Sequence, residues 1–378
     1  MRLANSLGTT LRQTGASGLS LLAVAAAAAG EATRSYALTR AGERPQPVVA
    51  VDNVCAWPNL TVLRDGTIVA AIHNQPSHLK RPADVECWAR EAGEGPWVKR
   101  GTPIPRDNER TARGNVAAGL AQNGDLVVIA SGWSDPVAET RGTILPSLVS
   151  RSADGGRTWE INAKAFPAKW PEGARTAASP DGCLVPFGDI LTARDGTLRV
   201  GLYGGAPGAT FVYCSRDDGR TWGEPVALNP AVVIHEPALI HLGEGKWLAA
   251  ARLNGLDLYT SDDDARTWAR AQQLSGPQQH PGHFVKLRDG RVLLSYGNRV
   301  APTGVDVRLS DDSGKTWGQA FRVADFEGDG GYPSSVQLPS GEVLTAYYAQ
   351  RLAGQNRYHM GVVVWDPAIA PSHAPGER

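Results

Sequence analysis

The sequence predicts an all-β chain folded as a six-bladed β-propeller, and three observations carry that prediction. An eight-residue motif, S-x-D-x-G-x-T-W, recurs four times, and a hairpin of one design recurs six times. The composition also supplies what such a fold uses, with 43 glycines and 26 prolines for turns and 11 tryptophans to pack between layers. Repetition of a supersecondary unit marks solenoids and propellers, and hairpin spacings of 45 to 72 residues suit a four-stranded blade.

Taken in chain order, the first thirty residues differ from the rest. Arg2 and Arg12 precede an apolar run over residues 19–29 that ends in alanines. The run is shorter than the roughly 20 residues a membrane-spanning helix needs. It reads as a secretory signal over 1–29, cleaved near Ala29, with a disordered N-terminus as the alternative. A secreted or periplasmic protein is the expectation. A linker is expected over 30–44, the propeller over 45–367 and a tail over 368–378. The six hairpins turn at Gly66, Gly124, Gly196, Gly245, Gly290 and Gly341, each between two apolar runs, as in LTVLRDGTIVAAI around the first. A strand near residues 360–365 is expected to help close the ring. The motif copies occupy residues 152–159, 215–222, 261–268 and 310–317, with Ala265 replacing glycine in the third. Ser and Asp side chains bond amides within such a turn, Gly takes a positive φ, and Trp packs inward.

Charge removes whole classes of partner. With 38 basic and 38 acidic residues the chain lacks the basic face that nucleic acid or an anionic membrane surface requires. Beyond the first thirty residues no segment is long and apolar enough to span a membrane. Four cysteines have no metal-ligand spacing, so no metal or cofactor is expected. Cys55 with Cys87, and Cys183 with Cys214, are close enough in sequence for disulfides, and buried thiols are the alternative.

The repeat also locates a site. Nine positions before each turn glycine stand Trp57, Asn115, Phe187, Glu236, Pro281 and Tyr332. Innermost strands converge on a propeller axis, so an acid and a phenol in one register should meet in one cavity. A phenol of pKa about 10 becomes a nucleophile when a nearby carboxylate takes its proton. Alternatively, Glu236 pairs with Arg252 and Tyr332 fills the channel. His73, His78, His235, His280 and His283 sit near the ends of inner strands or on the loop before Asp84. His235 and His283 are candidates for hydrogen bonds to a substrate, and no zinc spacing links them. Trp57, Trp133 and Phe187 offer a stacking surface for a ligand ring, or channel packing.

The four S-x-D-x-G-x-T-W copies resemble the Asp-boxes of the sialidase superfamily, and the six hairpins extend that resemblance over almost all of the chain after residue 45. It implies Asp-box aspartates on the face away from the active site. HEPALIHLGEGKWLAAARLN is similar to the strand carrying the family's glutamate, which implies Glu236 as base and Arg252 as a carboxylate-binding arginine. GGYPSSVQLPSGEVLTAYY is similar to the nucleophile strand, which implies Tyr332. Asp84 is the match for the acid/base, with Glu86 second, and Arg299 is the further binding arginine, with Arg113 or Arg81 reaching in from a neighbouring blade as the candidate for a third. One departure stands out: the family's Arg-Ile-Pro is Ala56-Trp57-Pro58 here, and an indole offers one donor and no charge. The resemblance implies a retaining exo-glycosidase acting on sialic acid or another acidic sugar. The alternatives are a propeller polysaccharide lyase, with a histidine base and Tyr332 as acid, and a non-catalytic glycan-binding propeller.

Overall fold

The computed structural model describes residues 45–91, 95–138, 142–171, 173–351 and 357–371. The expected signal over 1–29, the linker over 30–44 and most of the tail lie outside the described residues. Among these residues there are twenty-four β-strands and no helix. They form four four-stranded sheets and one of eight strands, in which two four-stranded meanders join through parallel pairing of Ala117 with Gly188 and Ala118 with Asp189.

Each of the six units is an antiparallel meander that begins with the predicted hairpin. All six turn glycines have positive φ, from 74° at Gly245 to 100° at Gly341, which only a residue without Cβ adopts cheaply. The first strands of the units are Asn59–Val62, Ala112–Leu120, Val185–Thr192, His235–Gly243, Gln279–Lys286 and Glu327–Gln337. They touch one another in chain order, and the sixth touches the first. The expected closing strand is His359–Trp365, which pairs with Val48–Asp52 from the chain start, so the last sheet is completed from both ends of the chain.

The apolar core lies between neighbouring sheets. Leu344, Ala346 and Tyr348 of the last unit pack on Leu60, Ile68 and Ala70 of the first. Ala238, Ile240 and Leu248 of the fourth meet Phe284, Leu294 and Trp317 of the fifth. Each large side chain removed from water contributes about 1.5–3 kcal/mol. Cys55, Cys87, Cys183 and Cys214 are buried free thiols.

The four motif copies turn the third strand of a unit into its fourth. In the last copy Asp312 accepts from Ser310 Oγ at 2.8 Å, Thr316 N at 2.8 Å and Thr316 Oγ1 at 2.6 Å, while Gly314 N donates to Ser310 Oγ at 2.8 Å. The other copies repeat this set, including the one with Ala265, whose amide donates to Ser261 Oγ at 3.0 Å. First and third strands run the same way, so these turns lie at the end of each unit opposite the strand starts that carry Glu236 and Tyr332.

Candidate active site

The register read from the repeats coincides with a backbone irregularity. Trp57, Asn115, Glu236 and Tyr332 all take left-handed φ, at 40°, 57°, 49° and 51°. Strand pairing slips at Asn115, between Gly114 and Val116, and likewise between His235 and Ala238 and between Gly331 and Ser334. A bulge re-aims a side chain, and each non-glycine residue held there costs about 1–3 kcal/mol, a strain that clusters at functional sites. Proline follows three of the four, at Pro58, Pro237 and Pro333. Lacking an N–H, it is tolerated in a sheet at such bulges.

These residues line one cavity of about 300 Å³, which holds Trp57, Asn115, Glu236 and Tyr332 together with His78, Tyr203 and His235. The Tyr332 hydroxyl donates to Glu236 Oε1. Arg252 donates to Glu236 Oε2 at 3.0 Å, with 34% of its side chain exposed against 4% for Glu236. Burial, and then the charge of Glu236, push the Tyr332 phenol far above its ordinary value, so it rests protonated, with its proton directed at the carboxylate. Arg299 lies 5.5 Å from the centre of the Tyr332 ring and donates to the His280 carbonyl. Burial, then Arg252 and Arg299, lower His280 to about 3.

Both sequence and shape now speak to relationship. The model of the BNR repeat-like domain matches residues 58–344. The chain belongs to the BNR repeat-like family. No curated protein matches it in sequence. Among solved structures, this BNR repeat-like chain is similar to a Dyadobacter fermentans protein of unknown function, with 22% identity, a TM-score of 0.70, and coverage of 84% of this chain and 97% of that one. It is similar to a Hadza microbial sialidase at 17% identity and TM-score 0.63, over 86% and 69% of the two chains. Trypanosoma rangeli sialidase matches at 16% identity and TM-score 0.64, over 88% of this chain and 59% of that longer one. At such identities the likeness is one of fold.

The other expected site residues of this BNR repeat-like chain divide between cavity and scaffold. Trp57 and His235 line the cavity; burial lowers the His235 imidazole, against the charge of Glu236. His283 lies one layer deeper. Ser335 N donates to its Nδ1 at 3.3 Å, which leaves Nε2–H to face Asp189 Oδ2 at 3.2 Å. Asp189 also accepts from Asn59 at 3.2 Å, so this layer ties the first, third and fifth units across the axis. Arg113 is buried and turned to the scaffold, bidentate on Asp107 at 2.8 and 2.9 Å and donating to the Pro146 carbonyl. Asp84 accepts from Arg106 N at 2.8 Å, Arg106 Nη1 at 3.0 Å and Asn74 at 3.3 Å, and it is not among the cavity-lining residues. Glu86 pairs with Lys99 at 2.7 Å.

Sequence reasoning missed two contributors. Tyr203 lines the cavity beside His235, with ring centres 5.4 Å apart. Asp329, three residues before Tyr332, accepts from the Tyr348 hydroxyl at 2.8 Å and the Tyr358 hydroxyl at 3.0 Å, and faces His78 Nδ1 at 3.2 Å. The signal for Asp329 was its place three residues before Tyr332, on the same strand, Glu327–Gln337. Among the described residues no group of three or more His, Cys, Asp and Glu is placed to hold a metal, and no helix is long and apolar enough to cross a membrane.

Proposed function

We propose that this chain is a sialidase-like glycoside hydrolase, a six-bladed propeller over residues 45–367 that cleaves a terminal acidic sugar with retention. The single observation that carries the reading is the Tyr332 hydroxyl donating to a buried Glu236 carboxylate inside the cavity. Tyrosine-nucleophile sialidases are a known exception to the two-carboxylate glycosidase scheme. A neutral phenol avoids the repulsion that a carboxylate nucleophile meets beside an anionic sugar. Glu236 takes the phenol proton as Tyr332 oxygen attacks the anomeric carbon, and water then releases the sugar from Tyr332.

Arg252 and Arg299 supply the positive charge for the substrate carboxylate. With alanine at position 56 and Arg113 committed to Asp107, that clamp has two arginines, which favours an acidic sugar more loosely held than sialic acid in a three-arginine site. Trp57, on the cavity wall, gives the sugar ring an apolar face. Residues 1–29 would direct the chain to the periplasm or the outside of the cell. Hydrolysis of a panel of sialosides and uronosides, with Tyr332→Phe as control, tests the reading. Release of sugar that Tyr332→Phe abolishes supports it, whereas an ultraviolet-absorbing unsaturated product points to a lyase, and saturable binding without turnover points to a glycan-binding module.

A further inference from the structure

His78 and Asp329, 251 residues apart in sequence, form a second ionisable pair at the same cavity. His78 Nδ1 lies 3.2 Å from Asp329 Oδ2, and both tyrosine hydroxyls on that carboxylate are donors. Burial alone would raise the Asp329 carboxyl, but the hydrogen bonds from His78, Tyr348 and Tyr358 hold it down at about 2. A charged carboxylate at Nδ1 keeps the proton there and leaves Nε2 as the working nitrogen. Nε2 has no protein partner among the described residues, and the His78 side chain is 37% exposed and lines the cavity with Tyr332 and Glu236. The ring is held edge-on by Trp57 at 4.7 Å and by Tyr348 at 6.3 Å. Those same two rings pack on Tyr332, at 6.1 and 5.7 Å, so His78 stands one ring away from the phenol.

We propose that His78, oriented by Asp329, is the acid and then the base on the leaving-group side, an inference that rests on the hydrolase reading above. In the first step Tyr332 oxygen bonds to the anomeric carbon while Glu236 receives the phenol proton. The bond to the leaving oxygen breaks with its electron pair on that oxygen, which takes the Nε2 proton of the His78 imidazolium. In the second step neutral Nε2 takes a proton from water and the water oxygen bonds to the anomeric carbon. The electron pair of the broken bond returns to Tyr332 oxygen, which recovers its proton from Glu236. One glycoside and one water become one sugar and one alcohol. Asp329 is a positioning residue: it fixes the tautomer and stabilises the imidazolium.

The test uses 2,4-dinitrophenyl and methyl glycosides of sialic and glucuronic acid, because the first leaving group departs without an acid and the second does not. His78→Gln is expected to lose about 10²–10⁴-fold in kcat on the methyl glycoside and less than about tenfold on the dinitrophenyl one, with Asp329→Asn changed in the same sense. A residue that only holds the fold would lower both rates equally, so equal losses overturn the proposal. A leaving-group-dependent loss in Asp84→Asn with none in His78→Gln overturns it as well. Nitrogen-15 NMR of the histidines reads the pair without turnover. It should show the proton on Nδ1 of His78 in the wild type, and that tautomer preference should be lost in Asp329→Asn. The other ionisable groups facing His78 are Tyr348 and His73, the latter lowered by burial to about 4. A His78 spectrum indifferent to Asp329→Asn refutes the pairing alone, whereas a wild type that cleaves neither sugar refutes the hydrolase reading and the acid role with it.

Discussion

Replacing Glu236 by glutamine separates a base from a structural partner. Glu236 is 3% exposed, and its two oxygens are taken by Tyr332 and Arg252. Glutamine keeps the shape. Its oxygen accepts from Arg252 and its amide donates to the Tyr332 oxygen, so no buried polar atom is orphaned. The ion pair that is lost has a partner one third exposed, where solvent screens the attraction, so the change in stability should stay within about 1 kcal/mol. Removing the base, by contrast, leaves the phenol with nowhere to send its proton and should lower kcat by about 10²–10⁴-fold. Tyr332→Phe is the companion. It strips the donor from a buried carboxylate, about 1.5–3 kcal/mol for a hydrogen bond to a charged group, or roughly 2–4 °C in Tm, and it also abolishes turnover. Thermal melts and steady-state kinetics on any cleaved glycoside measure both. If Glu236→Gln lowers Tm sharply yet turns over within a few-fold of wild type, Glu236 serves packing and the mechanism is wrong.

Other consequences follow for charge, acid and the turns. Arg252→Met should raise KM for an acidic sugar at least tenfold, while Arg113→Met should leave KM unchanged and lower Tm, because Arg113 is spent on Asp107; equal KM effects would contradict this division. Burial holds His73 at about 4 and His280 at about 3, below the unfolded value near 6.5. Between those values the unfolded chain binds more protons, so stability rises with pH from about 4 to 6.5 and Tm should fall on acidification across that window; a flat profile would argue against neutral buried imidazoles. Asp312→Ala removes three hydrogen bonds from one turn. It should cost about 1–3 kcal/mol with kcat unaltered, and a loss of kcat at constant Tm would move the motif into the active site.

Much of the fold was legible because a propeller writes its geometry as repetition. Turn glycines mark hairpins, and counting back from them reaches Trp57, Asn115, Glu236 and Tyr332, the four residues that share a left-handed φ. The same count places Arg252 opposite His235 on the neighbouring strand, hence beside Glu236. Loops carry no such period. Nothing in the spacing tells that Arg113 turns to Asp107, six residues before it, and away from the cavity, or that Asp84 meets Arg106. The contact of His78 with Asp329 joins the first unit to the last and exists only once the ring has closed. Tyr203 escaped because it ends a second strand, outside the register that was counted.

The most direct test of Tyr332 as nucleophile is peptide mass spectrometry after incubation with 2,3-difluoro sialic acid and with 2-fluoro glycosyl fluorides of uronic acids, which form a covalent intermediate faster than they release it. The expected result is one added sugar on the peptide carrying Tyr332, absent in Tyr332→Phe. A sugar attached to any other residue, or a product of inverted anomeric configuration from a substrate the enzyme turns over, would contradict the assignment.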